Sequence, residues 1–495
     1  MNQNSCLEST RVFTFFRKIC AIPHGSGHTE ALSRYCIEIA QAHGLWYKQD
    51  EIGNVLIRRP ASPGFENAPA VVLQAHLDMV CVHTASSKHT EGLPVRVHQD
   101  GDTLIAEDST LGADNGIGVA YILALLTQEG GKFPTLEGLL TVDEETTMAG
   151  ANAFDVSWLQ GRRMINLDSE EEGYLLAGSA GGIALDCSAP PQIIQRSFHT
   201  GMSVELQLSG LAGGHSGLDI HKGRGNAIRA LAELLLQADG ELDYLLCSLS
   251  GGRFSNAIPD EAHCQLVMEY ENLSHLSALV GRWKANLCQN LNRPEICLSF
   301  SVHAQESPQI NGFSNEFAHR WLSFVTQVPN GVQRMDDHVP HMVSLSTNLG
   351  ILHLDDQICQ ACFALRSNAK SGKETLLHQI ILLAKDSQFT ISAHDEYPCW
   401  EYRKNSLLRD CACQVYAKIT GHPLVVTTIH AGAECGIFCG KLPDLDCISI
   451  GPDIWDAHTI NERTSISSVE RVWQFLQALL KELGCCWCPS ESSKN

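Results

Sequence analysis

The chain is short of positive charge. Its 495 residues hold 35 Lys and Arg against 56 Asp and Glu, a formal net charge of −21. Nucleic acids and anionic membranes are bound through clustered Lys and Arg, so neither is expected as a partner. Long hydrophobic runs are also missing, and no stretch reaches the length that spans a bilayer. Met1 to Thr10 has no basic start followed by an apolar run, so no secretory leader is expected. No short-period repeat is present, and the one low-complexity block is the polar tail Ser490 to Asn495. The 20 cysteines are scattered through a long chain without a leader, which predicts reduced thiols and a cytoplasmic protein. Cys359-Gln360-Ala361-Cys362 has redox or zinc spacing but no second Cys or His pair to complete a zinc finger, and Cys359 reads as a small buried hydrophobe. The trio Cys485, Cys486 and Cys488 carries no more.

Hydrophobic residues make up 44% of the chain, ample for globular folding, and the length suggests about two to four domains. Leu32, Tyr35, Cys36, Ile39 and Ala40 recur at helical spacing between Thr29 and His43, with Gly44 placed as a C-terminal cap. Val55-Leu56-Ile57, Ala70 to Leu73, Leu136 to Val142 and Met164 to Leu167 read as strands, and Ile117 to Leu126 as a helix buried against a sheet. Alternating strands and helices predict an α/β fold with a partly parallel sheet. Composition shifts near Ser188-Ala189-Pro190-Pro191 and near Tyr397-Pro398. Between them lie a strand (203–208), a glycine-rich loop (210–217) and a helix (226–237), and the sheet pattern resumes at Val425. The expectation is a catalytic domain formed by residues 1–184 and 396–495, split by an inserted domain over 185–395.

Five acidic and histidine clusters follow the strand-like runs. They are Ala75-His76-Leu77-Asp78, Gly112-Ala113-Asp114-Asn115-Gly116, Val142-Asp143-Glu144-Glu145, Asn166-Leu167-Asp168 and Ala457-His458. Imidazole and carboxylate are what a hydrolytic zinc or manganese site needs. Residues two apart on a strand share a side, so His76 can bind metal while Asp78 orients its ring. Asp114 opens a tight turn, where a carboxylate can bridge two metals or serve ordinary turn chemistry. Adjacent Asp143, Glu144 and Glu145 repel one another unless a cation or solvent relieves them. One of them can bind metal while its neighbour acts as general base; a solvated acidic loop is the alternative. Asp168, with Ser169-Glu170-Glu171-Glu172 behind it, is open to the same two readings. A lone histidine such as His458 is usually structural, and the joint pattern is what points to a metallohydrolase.

Taken in order, these segments resemble the dinuclear zinc peptidases that include aminoacylases, carnosinases and bacterial dipeptidases, most closely the aminoacyl-histidine or cytosol non-specific dipeptidase branch. The likeness spans nearly the whole chain. It runs from Ile22-Pro23-His24-Gly25-Ser26-Gly27 and His76-Leu77-Asp78-Met79-Val80 through Leu111 to Gly118 and Asp143-Glu144-Glu145-Thr146. It continues in Gly213-Gly214-His215-Ser216-Gly217 and ends at His458-Thr459-Ile460-Asn461-Glu462-Arg463. The resemblance implies a mixed-sheet α/β/α catalytic domain with an inserted α+β lid, and two divalent ions, zinc foremost, with manganese or cobalt accepted by the same ligands. His76 and Asp168 would hold one ion and Glu145 and His458 the other, with Asp114 bridging. Asp78 would orient His76, Glu144 would be the base, and His215 of the lid would stabilise the oxyanion. Asn256, Arg366, Gly432 and Glu434 are candidates for holding substrate, Arg366 because its planar fork matches a free carboxylate. The implied activity is hydrolysis of unblocked dipeptides, including those ending in histidine, by a cytoplasmic protein expected as a homodimer. An N-acyl amino-acid deacylase on the same metals is the second enzyme reading. A non-catalytic metal-dependent binding protein is the alternative of another class, and retention of Glu144 argues against it.

Overall fold

The computed structural model describes residues 11–84, 93–305, 309–337 and 339–485. The first ten residues, Cys486, Cys488 and the polar tail lie outside the described residues. The chain divides into two compact units. One comprises Met1–Ser179, Tyr402–Thr428 and Ala433–Asn495; the other comprises Ala180–Glu401 and Ile429–Gly432.

The first unit is built on an eight-stranded mixed sheet. Its centre is four parallel strands in the order Leu136–Thr141, Val71–His76, Arg163–Asn166 and Asp446–Ser449. Val55–Arg59 and then Trp46–Gln49 extend it antiparallel on one side; Tyr174–Ser179 and Val425–Ile429 lie on the other. Every residue of the four central strands is buried, as in parallel sheets covered on both faces. Val71, Leu73 and Ala75 pack into one core with the helix Ala113–Leu126, while Val72 between them is buried outside that core, the two-residue alternation of a strand.

The helix Ala113–Leu126 is buried almost all round. It begins four residues before the predicted start, through a kink at Asp114 and Asn115 whose dihedrals are not helical. Close approach to the sheet depends on Gly138, where a Cβ would sit 2.6 Å from Ile122 and 2.8 Å from Leu126. On its outer side Tyr121 stacks on Trp473, centroids 6.1 Å apart, and donates to the Val469 carbonyl at 2.8 Å. The predicted helix over 29–43 is Glu30–Ala42, and Gly44 follows with φ +65°.

The second unit holds a nine-stranded sheet in which neighbouring strands run antiparallel. Its helices Ala227–Asp239, Leu273–Leu291, Asn315–Gln327 and Lys370–Asp386 supply an aromatic core in which Trp321 stacks on Phe389 at 4.1 Å. Cys359 is a buried free thiol and Cys362 a half-buried one.

Glu137, wholly buried on a central strand, accepts from Arg58 at 2.9 and 2.7 Å and from the Gln160 and Gly161 amides at 2.9 and 2.8 Å. Removing one partner of such a pair strands the other's charge. Glu137→Ala is expected to cost about 3–5 kcal/mol, read as the loss of unfolding free energy in urea. A loss under about 1 kcal/mol would show that the pair is not what closes this edge.

Candidate active site

The acidic and histidine clusters sit where a parallel sheet gathers ligands, beyond the carboxyl ends of its central strands. His76 ends its strand; Glu144 and Glu145 follow the strand ending at Thr141, and Asp168 the one ending at Asn166. The His76 Nε2 lies 3.1 Å from Asp114 Oδ1 and 3.2 Å from Asp168 Oδ1. The other oxygen of Asp114 is 3.1 Å from His458 Nε2, which is in turn 3.0 Å from Glu145 Oε1. Asp114 therefore faces a different imidazole with each oxygen. Ligand atoms of His76, Asp114 and Glu145 all lie within 4.8 Å of one another, a grouping able to hold a metal ion. The donor set fits a divalent cation. Glu145 Oε1 is buried against the His458 ring at 3.0 Å.

Asp78 is occupied differently. Its oxygens accept from the Glu144 amide at 3.0 Å, the Glu145 amide at 3.2 Å and Ser26 Oγ at 2.8 Å, and Oδ1 stands 3.5 Å from His76 Nδ1. That ring nitrogen also lies 2.9 Å from the Asp78 carbonyl, so the two contacts leave Nε2 as the nitrogen that meets Asp114 and Asp168. Asp143 adopts φ +54° at the head of the one-turn helix Glu144–Thr147 and accepts from the Gly27 amide at 2.6 Å. Glu462 was not singled out from the sequence. It is buried and accepts from the amides of Leu111, Gly112, Ala113 and Asp114 at 2.8, 3.0, 2.8 and 3.3 Å, so it holds the turn that presents Asp114. The signal was its place in the segment that carries His458.

In the second unit, His215 lies on the two-residue strand Gly214–His215, paired with Ala257–Ile258. Its Nδ1 accepts from the Gly217 and Leu218 amides at 3.3 and 3.1 Å, which puts the neutral ring's proton on Nε2. Asn256 is exposed, and its carbonyl accepts from the Ser216 amide at 2.8 Å. Arg366, only 9% exposed, donates to Tyr397 Oη at 2.7 Å, while its Nε is buried without a hydrogen-bond partner among the described residues. Two residues on, the Asn368 amide nitrogen is likewise buried and unpartnered. His430, missed by sequence reasoning, meets Ser346 Oγ at 2.7 Å and Asn368 Oδ1 at 3.3 Å. Gly432 belongs to this unit and Glu434 to the first. Glu434 is wholly buried, accepting from Gln74 Nε2 at 2.6 Å and Thr141 Oγ1 at 2.9 Å.

A model of peptidase family M20/M25/M40 matches residues 72–482. The chain belongs to that family. The cytosol non-specific dipeptidase of Escherichia coli (strain K12) is 36% identical over 488 residues, 98% of this chain and 99% of that protein. The crystal structure of aminoacylhistidine dipeptidase from Vibrio alginolyticus matches with a TM-score of 0.89 at 35% identity, covering 97% of this chain and 98% of that one. Aminopeptidase PepT from Bacillus cereus, 13% identical with a TM-score of 0.55 over 96% of this chain and 98% of that one, shares the fold. This chain is thus a peptide-bond hydrolase of the M20 family, with the mixed α/β fold expected from its sequence.

Charge crowding sets the protonation of this M20 site. Burial works against a charged His76, but Asp168, Asp114 and Asp78 outweigh it and hold its pKa well above the usual value. Hydrogen bonds to Asp114 and Glu145 raise His458 to about 11. Asp114 is held low: burial opposes its charge, and the two imidazoles prevail. Burial, then repulsion from Asp114 and Glu145, lifts Asp168 to about 6 against the pull of His76. Glu144 is pushed well up by burial and by Asp168, Glu434 and Glu145, with His76 opposing. In the second unit, burial and then Arg366 lower His215, and the same causes bring His430 to about 3.

The raised values favour the cationic form of both rings, whose extra proton a bound cation would displace. Zinc added to chelator-stripped protein at pH 7.5 in weak buffer should therefore release at least about one proton per coordinating histidine, followed with a pH indicator. Zinc uptake with no proton release would show that both rings are already neutral in the metal-free protein.

Proposed function

We propose that this protein hydrolyses unblocked dipeptides, Xaa-His among them, at a centre of two divalent ions, zinc foremost. In this reading His76 and Asp168 would hold one ion and Glu145 and His458 the other, with Asp114 available to both. The observation that carries it is Asp114, whose two oxygens each lie 3.1 Å from a different histidine. The relatives' names, one a cytosol non-specific dipeptidase and one an aminoacylhistidine dipeptidase, support the substrate class. A cytosolic location is favoured by the first of these names, and among the described residues no helix is long and apolar enough to cross a membrane.

Bound divalent ions would polarise the scissile carbonyl and acidify the attacking water. The protein's own groups supply the rest. Glu144 is the base, a carboxylate beside Glu145 that would take a proton from water and return it to the leaving amine. Asp78 holds the His76 ring and, through the Glu144 and Glu145 amides, the turn that carries the base. His215 offers an Nε2–H from a ring kept neutral, a donor fit for a developing oxyanion. Arg366 and Asn368 present buried donors without acceptors, the chemistry that receives a free carboxylate, and Asn256 stands as a further substrate contact. A homodimer remains the expected assembly.

Glu144→Ala should keep its metal and lose at least about 100-fold in turnover, whereas Asp114→Ala should lose metal as well. Metal analysis finding both variants equally loaded would overturn that division of roles. Stripped protein given zinc or manganese should cleave Gly-His, β-Ala-His and Ala-Ala but leave a tripeptide and an N-acetyl amino acid intact. Cleavage of the acetylated compound alone would move the assignment to a deacylase.

A further inference from the structure

Beneath the proposed metal ligands lies a buried polar network that the mechanism above does not use. Asn166 Nδ2 donates to Gln74 Oε1 at 2.6 Å. Gln74 Nε2 donates to Glu434 Oε2 at 2.6 Å and to Thr141 Oγ1 at 3.1 Å. Thr141 Oγ1 in turn lies 2.9 Å from Glu434 Oε2. All four residues are at most 2% exposed. Asn166, Gln74 and Thr141 belong to three adjacent parallel strands, and each stands two to four residues before a proposed ligand. Gln74 precedes His76 on the same side of its strand, Asn166 precedes Asp168, and Thr141 leads into Glu144 and Glu145. Glu434 enters from the first turn of the helix Glu434–Lys441 and accepts from two of the three strands.

A carboxylate here is a poor way to gain stability. A buried charge replaced by an apolar group of similar size is often neutral or stabilising, and Glu434 Oε1 is buried with no hydrogen-bond partner among the described residues. Main-chain ladder bonds already join the strands, so the sheet does not need a carboxylate to close. What the ladder does not set is the small stagger of one strand end against the next, and the span between ligands on three strands depends on that stagger. Metal affinity and turnover respond to errors well below an ångström.

We propose that Glu434, acting through Gln74 and Thr141, is a positioning residue that sets the spacing of His76, Glu145 and Asp168 for the metal ions. It touches neither ion nor substrate. The inference rests on the metal reading of the site.

The test compares Glu434→Met, Glu434→Gln and Thr141→Val with wild-type protein. Three quantities are read: the melting temperature of the stripped protein, zinc affinity by competition with a chromophoric chelator, and kcat and KM on Gly-His. Glu434→Met should melt no lower than wild type when stripped, yet bind zinc at least tenfold more weakly and lose kcat with KM nearly unchanged. Glu434→Gln keeps an acceptor for Gln74 and should stay within about threefold of wild type. Wild-type zinc affinity in Glu434→Met would overturn the inference, as would a raised KM with affinity unchanged, the mark of a substrate contact. A lowered melting temperature with zinc affinity intact would reduce the network to architecture. Should Glu434→Met fail to fold, Thr141→Val decides: it removes one hydroxyl, weaker zinc binding is expected, and unchanged binding overturns the proposal. Wild-type protein that takes up no zinc would instead defeat the metal reading itself.

Discussion

Repulsion among carboxylates held at neighbouring strand ends is the constraint to which the first unit answers. Asp78, Asp114, Glu144, Glu145 and Asp168 converge around two imidazoles, and burial removes the water that would otherwise screen them. The structure resolves this by giving the acidic groups two kinds of partner. Asp78 and Glu462 are satisfied by backbone amides, Glu462 by four in succession. Such carboxylates are fixed, and their work is to fix the loops that donate to them. Asp114, Asp168 and Glu145 meet histidine nitrogens instead, partners that a cation can replace.

A parallel sheet is suited to this arrangement because its strands all end on the same side. Residues that are far apart in sequence arrive together, and the backbone beyond each strand is free to turn. The turns that follow are tightly specified. Asp143 and His458 both adopt positive φ, a conformation that non-glycine residues hold only when surrounding contacts favour it. At Asp143 that contact is the Gly27 amide, 2.6 Å from its carboxylate. Gly138 lets the helix Ala113–Leu126 lie so close to the sheet that Asp114 at its head reaches the end of the neighbouring strand.

Much of this was legible in the chain. Runs such as Val71-Val72-Leu73 and Leu139-Leu140 marked strands, and an acidic or histidine residue just beyond each run marked its carboxyl end. Helix limits came within a few residues because Thr29, Gly44 and Asn226 carry ordinary end signals. What escaped was of another kind. Glu462 bonds to amides some 350 positions away in sequence, and His430 gains its meaning from Ser346 and Asn368, which no local pattern joins to it. Arg366 could be proposed for a carboxylate from its chemistry, but that its Nε lacks a partner is a property of the folded chain alone. One trace of the buried network was in view. Gln74 interrupts an otherwise apolar strand, and a polar side chain at such a position must find partners within the protein.

The second unit presents the opposite electrostatic situation. There the notable group is a cation: Arg366 is nine-tenths buried with a donor left over, and the imidazoles beside it are held neutral. A buried guanidinium favours an anionic partner, and neutral histidines spare it competition from further positive charge. Such a site suits a ligand with a free carboxylate better than one in which that group is blocked as an amide.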